Sequence, residues 1–229
     1  VSDLPYAVPN VLAELHSPET GVPVLWWRSV SHSHAAFAVE SFVDELAHAA
    51  GADPLEYRKA LLADHPRLLG VLILAAEKGG WGLPLESGRG RGIAVHKSFG
   101  SYVAHVAEVR ATDNSIQVER MVCAVDCGLP VNPDVVRAQV EGGTAFGLSA
   151  ALRGRITLDE TGRVVQSNFH DFEVLRCTAM PPVEVHIVPS TEPPSGIAEP
   201  PVPTVAPAVA NAVFAATGKR LRDLPLRLG

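Results

Sequence analysis

The chain has 229 residues and a formal net charge of −6 at pH 7, with hydrophobic residues at 47% and charged residues at 19%. That is the composition of a globular chain long enough to bury a core, not of a disordered one. The acidic balance, with a sequence pI near 5.8, argues against nucleic-acid partners and anionic membrane surfaces, both of which need a basic face. No apolar run reaches the roughly 18 residues of a membrane span. The first residue is Val rather than Met and nothing there reads as a secretion signal, so a processed chain or part of a longer polypeptide is expected. Three cysteines are too few for a disulfide scaffold. Cys123 and Cys127, in an apolar stretch, read as buried small hydrophobes, and the chain cannot supply an all-cysteine zinc or iron–sulfur set.

Residues 1–27 carry Pro5, Pro9, Pro18 and Pro23 without clear period and read as an extended opening segment. Residues 28–229 follow, helical over 33–80 and mixed over 88–229. A helix is predicted over 33–51. Phe37, Val39, Phe42, Val43, Leu46, Ala47 and Ala50 form its apolar stripe, Glu40, Asp44, Glu45 and His48 lie largely opposite, and Gly51 stops it. Asp53 as N-cap and Pro54 in the first turn open a second helix, to about residue 63. A third runs over about 67–78, ending at Gly79-Gly80.

The period then changes. Strands are expected over 90–99 and 102–111, a turn at Asp113-Asn114, and a return strand over 115–125. Asn132-Pro133-Asp134 opens a helix that reaches residue 152, weakened locally by Gly142, Gly143 and Gly147. A second hairpin is expected from 155–158 and 164–169 around a turn at 159–162. Val183, Val185 and Ile187 alternate with Glu184 and His186, as in a strand with one buried face. Residues 189–207 form a proline-rich loop, and the last helix covers 206–217, capped by Gly218. Helices and hairpins without a βαβ rhythm indicate an α+β fold.

Four segments combine turn chemistry, glycine and reactive side chains. The first runs from Trp26 to His34. His32 and His34 are candidate metal ligands, but no third ligand has matching spacing. In the alternative, Ser31 or Ser33 caps the helix and the histidines sit at its mouth. The N–H groups of the helix start, with Arg28, also suit an anionic cofactor. The second is Ser98-Phe99-Gly100-Ser101-Tyr102, either a close backbone approach to a ligand or a tight hairpin turn. The third runs from Val131 to Gly143. It presents Gln139 to a ligand while Gly142 and Gly143 admit another backbone, or else its glycines serve close helix packing. The fourth is Gly196-Ile197-Ala198-Glu199-Pro200-Pro201. Glu199 is the only ionisable group between Glu192 and Lys219. Burial in an apolar loop raises a carboxylate's pKa and suits it to general-base work; an exposed loop glutamate is the alternative. No Gly-x-Ser-x-Gly elbow or phosphate-binding Gly-x-x-x-x-Gly-Lys loop is present.

These segments are joined in order by Glu40-Ser41-Phe42-Val43-Asp44-Glu45-Leu46-Ala47, Gly88-Arg89-Gly90-Arg91-Gly92-Ile93-Ala94, Cys123-Ala124-Val125-Asp126-Cys127-Gly128, Arg137-Ala138-Gln139-Val140-Glu141-Gly142-Gly143 and Ser167-Asn168-Phe169-His170-Asp171. Together they resemble the C-terminal part of the molybdopterin-binding large subunit of the xanthine dehydrogenase/aldehyde oxidase family. The likeness spans nearly the whole chain and is strongest to the isoquinoline 1-oxidoreductase β-subunit type.

The resemblance implies a molybdenum-dependent hydroxylase that oxidises an N-heterocycle or an aldehyde with water-derived oxygen. It implies a molybdopterin cofactor, such as the cytosine dinucleotide form, whose dithiolene rather than a side chain holds the molybdenum. It further implies a small [2Fe–2S] subunit, the upstream half of the large subunit, a small-molecule substrate and an electron acceptor such as a cytochrome as partners. Mapped onto this sequence, Glu199 is the catalytic base. Gln139, Arg28, Gly142 and Gly143 contact the cofactor, and Val30, Phe99 and Gly100 line the substrate pocket.

Three departures from the family pattern stand out. Ala198 replaces the usual Gly, and its Cβ is expected to bar a positive φ. Pro201 stands where relatives tend to have Gly. The Met-Gly-Gln-Gly cofactor motif is absent and is expected upstream. They motivate a second reading, a non-catalytic binding or scaffold domain that keeps the fold without a complete cofactor site.

Overall fold

The computed structural model describes residues 3–19 and 24–229, so positions 1–2 and 20–23 of the opening segment lie outside the described residues. The elements are α1 (Ser31–Ala49), α2 (Pro54–Leu61), α3 (Pro66–Lys78), β1 (Arg89–Ser98), β2 (Ser101–Thr112), β3 (Ser115–Asp126), α4 (Pro133–Leu152), β4 (Val183–Ile187) and α5 (Val205–Thr217), with one 3-10 turn at Cys177–Ala179. The sheet order is β1-β2-β3-β4. The first three strands are antiparallel and β4 joins β3 in parallel, giving the α+β fold expected.

Alternation along the strands gives the sheet two apolar faces. Ile93, Val95, Ala104, Val106, Val122 and Ala124 pack with Leu68, Val71, Leu72 and Ala75 of α3. Ala94, Ala107, Val109 and Met121 pack with Val205, Val209 and Val213 of α5 and Leu148 of α4. α5 rests directly on β1 backbone: a Cβ at Gly92 would lie 2.1 Å from the Ala212 nitrogen. Cys123 and Cys127 are buried free thiols, as expected. No helix among the described residues is long and apolar enough to cross a membrane.

α1 buries Val43 and Ala47 of the expected stripe but not the whole of it. Phe42 is 59% and Leu46 38% exposed, whereas Glu40, Ser41 and Asp44 are buried. The cause is an ion network whose members come from distant segments. Glu40 Oε1 accepts the Tyr6 hydroxyl, and Oε2 accepts Arg58 Nε at 3.0 Å and the Val95 amide at 3.1 Å. Arg58 Nη2 also donates to the Glu40 carbonyl at 2.8 Å, and Arg220 donates to Asp44 at 2.6 Å. Burial alone would lower the Arg58 pKa; the Glu40 and Asp44 charges outweigh it and raise it. Burial, with the Glu40 charge, lifts the Tyr6 hydroxyl well above 10, so it stays a donor. Charges enter a core when paired and hydrogen-bonded in this way.

Two helix starts match expectation. Asp53 Oδ1 accepts the Leu55 and Glu56 amides, and Asn132 Oδ1 those of Asp134 and Val135. At α1 neither Ser31 nor Ser33 caps: the N-cap position is Val30, with no side-chain cap, and Ser33 Oγ donates back to the Val30 carbonyl. The second hairpin is also corrected. Asp159 forms the polar turn, accepting the Thr161 and Arg163 amides, but the flanks form one backbone bridge, Leu158 to Val164, with Gln166 bonding the Thr157 amide and hydroxyl beyond it. Ile156, Leu158, Val164 and Val165 stay exposed, and a lone two-stranded hairpin without a buried face is marginal.

Candidate functional site

The site grows from two loops that the fold presses together. In the first, the Val30 amide closes a turn onto the Trp27 carbonyl at 2.7 Å. Ser29 (φ 74°) and Val30 (φ 49°) both sit in the left-handed region, a rare place for a serine and an outlier for a β-branched residue. Such strain costs on the order of 1–3 kcal/mol per residue and persists only where surroundings enforce it. Here the Ser29 carbonyl accepts the His32 amide at 3.0 Å, and the Val30 carbonyl accepts Ser33 Oγ at 2.8 Å.

In the second loop, the Glu199 carbonyl accepts the Val202 amide at 3.0 Å around Pro200-Pro201. Pro201 packs on α4 at Gly143, where a Cβ would lie 2.8 Å from the Pro201 Cβ. Glycine at 143 is therefore what lets this loop reach the helix.

Arg28 and Ser29 join the loops. Arg28 Nε donates to the Ala198 carbonyl at 2.7 Å, and Nη2 donates both to that oxygen and to Gln139 Oε1 at 3.4 Å. The Ser29 amide donates to Glu199 Oε2 at 2.9 Å, and Ser29 Oγ to the Glu199 carbonyl at 2.5 Å. The Arg28 guanidinium lies 5.6 Å over the Phe146 ring, which also meets Trp27 at 4.7 Å. Burial lowers the Arg28 pKa, and the Glu199 charge opposes that shift. The obstruction expected from Ala198 is absent. The non-glycines at positive φ among the described residues are Ser29, Val30 and Phe99, so Ala198 presents its carbonyl to Arg28 without the conformation its Cβ would resist.

The β1–β2 turn supplies a further edge. Phe99 (φ 51°) and Gly100 (φ 79°) form a two-residue hairpin with both central φ positive, the handedness that suits strand twist. It also reaches the Glu199 loop: Ser101 Oγ donates to the Gly196 carbonyl at 2.5 Å and lies 2.8 Å from Ser195 Oγ. Phe99 meets His32 edge-on at 5.4 Å.

His32 pairs with His96, Nδ1 to Nε2 at 2.9 Å, rather than with His34, which is exposed. Burial, then the His32 neighbour, pushes His96 down to about 4. Among the described residues no group of three His, Cys, Asp or Glu is placed to hold a metal ion, and the His32/His34 metal reading is not supported. Gly142 faces open space on α4, and nothing meets it.

Two contributors escaped sequence reasoning. Ser29 has no periodic signal; its role rests on contacts 170 residues away. His105 is fully buried between Thr204 Oγ1 (2.7 Å) and Thr144 Oγ1 (3.1 Å), tying β2 to α4 and to the residue before α5. Thr144 spends its proton on the Val140 carbonyl. The imidazole therefore donates from Nε2 and accepts at Nδ1, and burial holds its pKa at about 3. A histidine at an inward register of β2, between Val103 and Ala107, was the available clue.

A molybdopterin cofactor-binding domain model matches residues 74–181. The chain is 36% identical over 227 residues to the β-subunit of isoquinoline 1-oxidoreductase from Brevundimonas diminuta, covering 97% of this chain and 29% of that one. It is 34% identical over 243 residues to a nicotinate dehydrogenase subunit from Pseudomonas putida, covering 97% and 20%. The crystal structure of the aldehyde oxidoreductase from Desulfovibrio desulfuricans shares the fold, with a TM-score of 0.68 at 16% identity over 87% of this chain and 40% of that one. The chain thus spans less than a third of the length of these two curated relatives. The matched domain and the sequence likeness agree: residues 74–181 belong to the molybdopterin cofactor-binding domain family, and nearly the whole chain is similar to subunits of isoquinoline 1-oxidoreductase and nicotinate dehydrogenase.

Proposed function

We propose that this chain supplies the general base and one wall of the cofactor site of a molybdenum hydroxylase that oxidises an N-heterocycle or an aldehyde with water-derived oxygen. The observation that carries the reading is the half-buried Glu199 carboxylate. Its Oε2 is pinned by the Ser29 amide, while Oε1 makes no hydrogen bond among the described residues. A general base needs direction from one oxygen and freedom at the other.

The residues present fit the cofactor. Gln139 Oε1 accepts from Arg28, and Gln139 Nε2 makes no hydrogen bond among the described residues. An amide donor thus stands beside a guanidinium on α4, next to the open backbone at Gly142. That set suits a polar, anionic pterin, with Gln139, Arg28 and Gly142 as its contacts; Gly143, expected as a further contact, is buried under Pro201 instead. When bound, the cofactor supplies the transferred oxygen and takes up the electrons. Overall, C–H and water become C–OH with two electrons and two protons released. Glu199 would take one of these protons at Oε1, the oxygen that the Ser29 amide leaves open. Arg28 keeps the peptide carrying Glu199 in place through the Ala198 carbonyl. Val30, Phe99 and Gly100 offer an exposed, largely apolar edge beside the base, suited to a flat aromatic or aldehyde substrate.

In the assembled protein, the upstream half of the large subunit completes the cofactor site, with the cytosine dinucleotide as the expected form. A small partner subunit carrying [2Fe–2S] clusters, with an acceptor such as a cytochrome, would take up the electrons. The non-catalytic alternative loses its main support, because the Ala198 Cβ imposes no strained backbone at Glu199.

In the assembled enzyme, Glu199→Gln is expected to lower turnover at least about 10²-fold, the low end of general-base contributions, with molybdenum content and thermal stability unchanged. Turnover within a few-fold of the parent would remove Glu199 as the base. Absence of molybdenum from the complete parental complex would instead favour the binding-only alternative.

A further inference from the structure

We infer that Ser29 is a positioning residue for Glu199, and this rests on Glu199 being the base. Ser29 grips one residue at two points: its amide holds carboxylate Oε2 at 2.9 Å, and its hydroxyl holds the main-chain carbonyl at 2.5 Å. Two bonds from one donor residue fix both the place of the Glu199 backbone and the rotation of its side chain. The grip is shielded from water, since Ser29 is 0% exposed. It is also rigid. The positive φ of Ser29 turns amide and hydroxyl toward the same partner, and that backbone is locked by the His32 amide on the Ser29 carbonyl and by the Trp27–Val30 turn.

Arg28 and Ser29 divide the work. The arginine holds the peptide before the base through the Ala198 carbonyl, and the serine holds the base itself. Because only one carboxylate oxygen is gripped, the other stays directed for proton transfer. A backbone held in a sparsely populated conformation at such a contact is the signature of pre-organisation.

Ser29→Gly tests this in the assembled, cofactor-loaded enzyme. Glycine accepts the positive φ and keeps the amide, so only the hydroxyl bond and the side-chain bulk are lost. Ser29→Ala keeps the Cβ and controls for added backbone freedom. Both variants are expected to lower kcat by about 10- to 100-fold, the scale of a misplaced catalytic group, with KM within about two-fold. Molybdenum content and Tm should be unchanged for Ser29→Gly, and its crystal structure should show the Glu199 carboxylate in more than one position.

In a Glu199→Gln background, Ser29→Gly should add no further loss, because the serine acts through the glutamate. Parental kcat in both single variants would overturn the assignment. So would a raised KM with intact kcat, or a fall in activity that tracks lost molybdenum or lowered Tm. An active Glu199→Gln enzyme with impaired Ser29 variants would break the base assignment and this inference with it. An inactive Glu199→Gln enzyme with unaffected Ser29 variants would break this inference alone.

Discussion

Glu40 and Glu199 are both held by a backbone amide, yet the two regions around them treat a carboxylate in opposite ways. Every oxygen of Glu40 is engaged, by Tyr6, Arg58 and the Val95 amide, deep between α1, α2 and β1. Glu199 has one oxygen on the Ser29 amide and the other without a hydrogen bond among the described residues, at the edge of the fold. A carboxylate bound by donors at both oxygens is anchored in place; a carboxylate gripped on one side keeps direction and an open oxygen together. Residue type and helix or loop context do not separate these two roles, whereas the count of donors around each oxygen does.

The contrast is broken most forcefully by deleting the saturated member. Glu40→Ala leaves the buried Arg58 with only the longer Asp44 contact, at 3.6 Å, as a charge partner, and is expected to cost about 3–5 kcal/mol in denaturant unfolding while turnover per folded molecule is retained. Glu199→Gln should do the reverse, with turnover lost and the unfolding midpoint unmoved. Equal effects of the two variants on stability would erase the distinction.

A pH series sharpens it further. His105 and His96 have folded pKa values of about 3 and about 4, below the roughly 6.5 of an unfolded histidine. The unfolded chain therefore binds more protons between those limits. Stability that is full above about pH 6.5 is lost as pH falls toward 4 and then 3, at up to about 1.4 kcal/mol per pH unit for each group. Unfolding free energy that stays flat from pH 7 to 4.5 would remove this account of the buried histidines. The smallest effect is expected for Ala198→Gly. With no positive φ to relieve, it should destabilise by less than about 1 kcal/mol through unfolded-state entropy, leaving turnover near the parental value. A large gain in turnover would show that the Cβ at 198 does constrain Glu199.

Much of the local structure was legible in the sequence. Asp53-Pro54 and Asn132-Pro133-Asp134 specify helix starts because a cap acts over two or three residues. Phe99-Gly100 specifies a two-residue turn for the same local reason. Glu199 stood out because no other ionisable group lies near it in the chain.

The polar part of the face that α1 buries was not legible, because Glu40 is satisfied by Tyr6 and Arg58, 34 and 18 residues away, and periodicity counts such a residue as polar. Of the second hairpin only the turn and one bridge formed, because flanks with no surface to cover do not hold two strands together.

What the sequence determined by itself were most of the elements, the caps of α2 and α4, the β1–β2 turn and the chemical identity of the groups at the site, all consequences of short-range sterics and hydrogen bonding. Tertiary structure alone decided that Arg28 and Ser29 meet Ala198 and Glu199, and that Glu199 keeps one oxygen open. It also decided that Ser29 and Val30 are held at positive φ. Those outcomes depend on packing α5 on Gly90 and Gly92 and Pro201 on Gly143, contacts whose energies exist only once distant segments are brought within van der Waals distance.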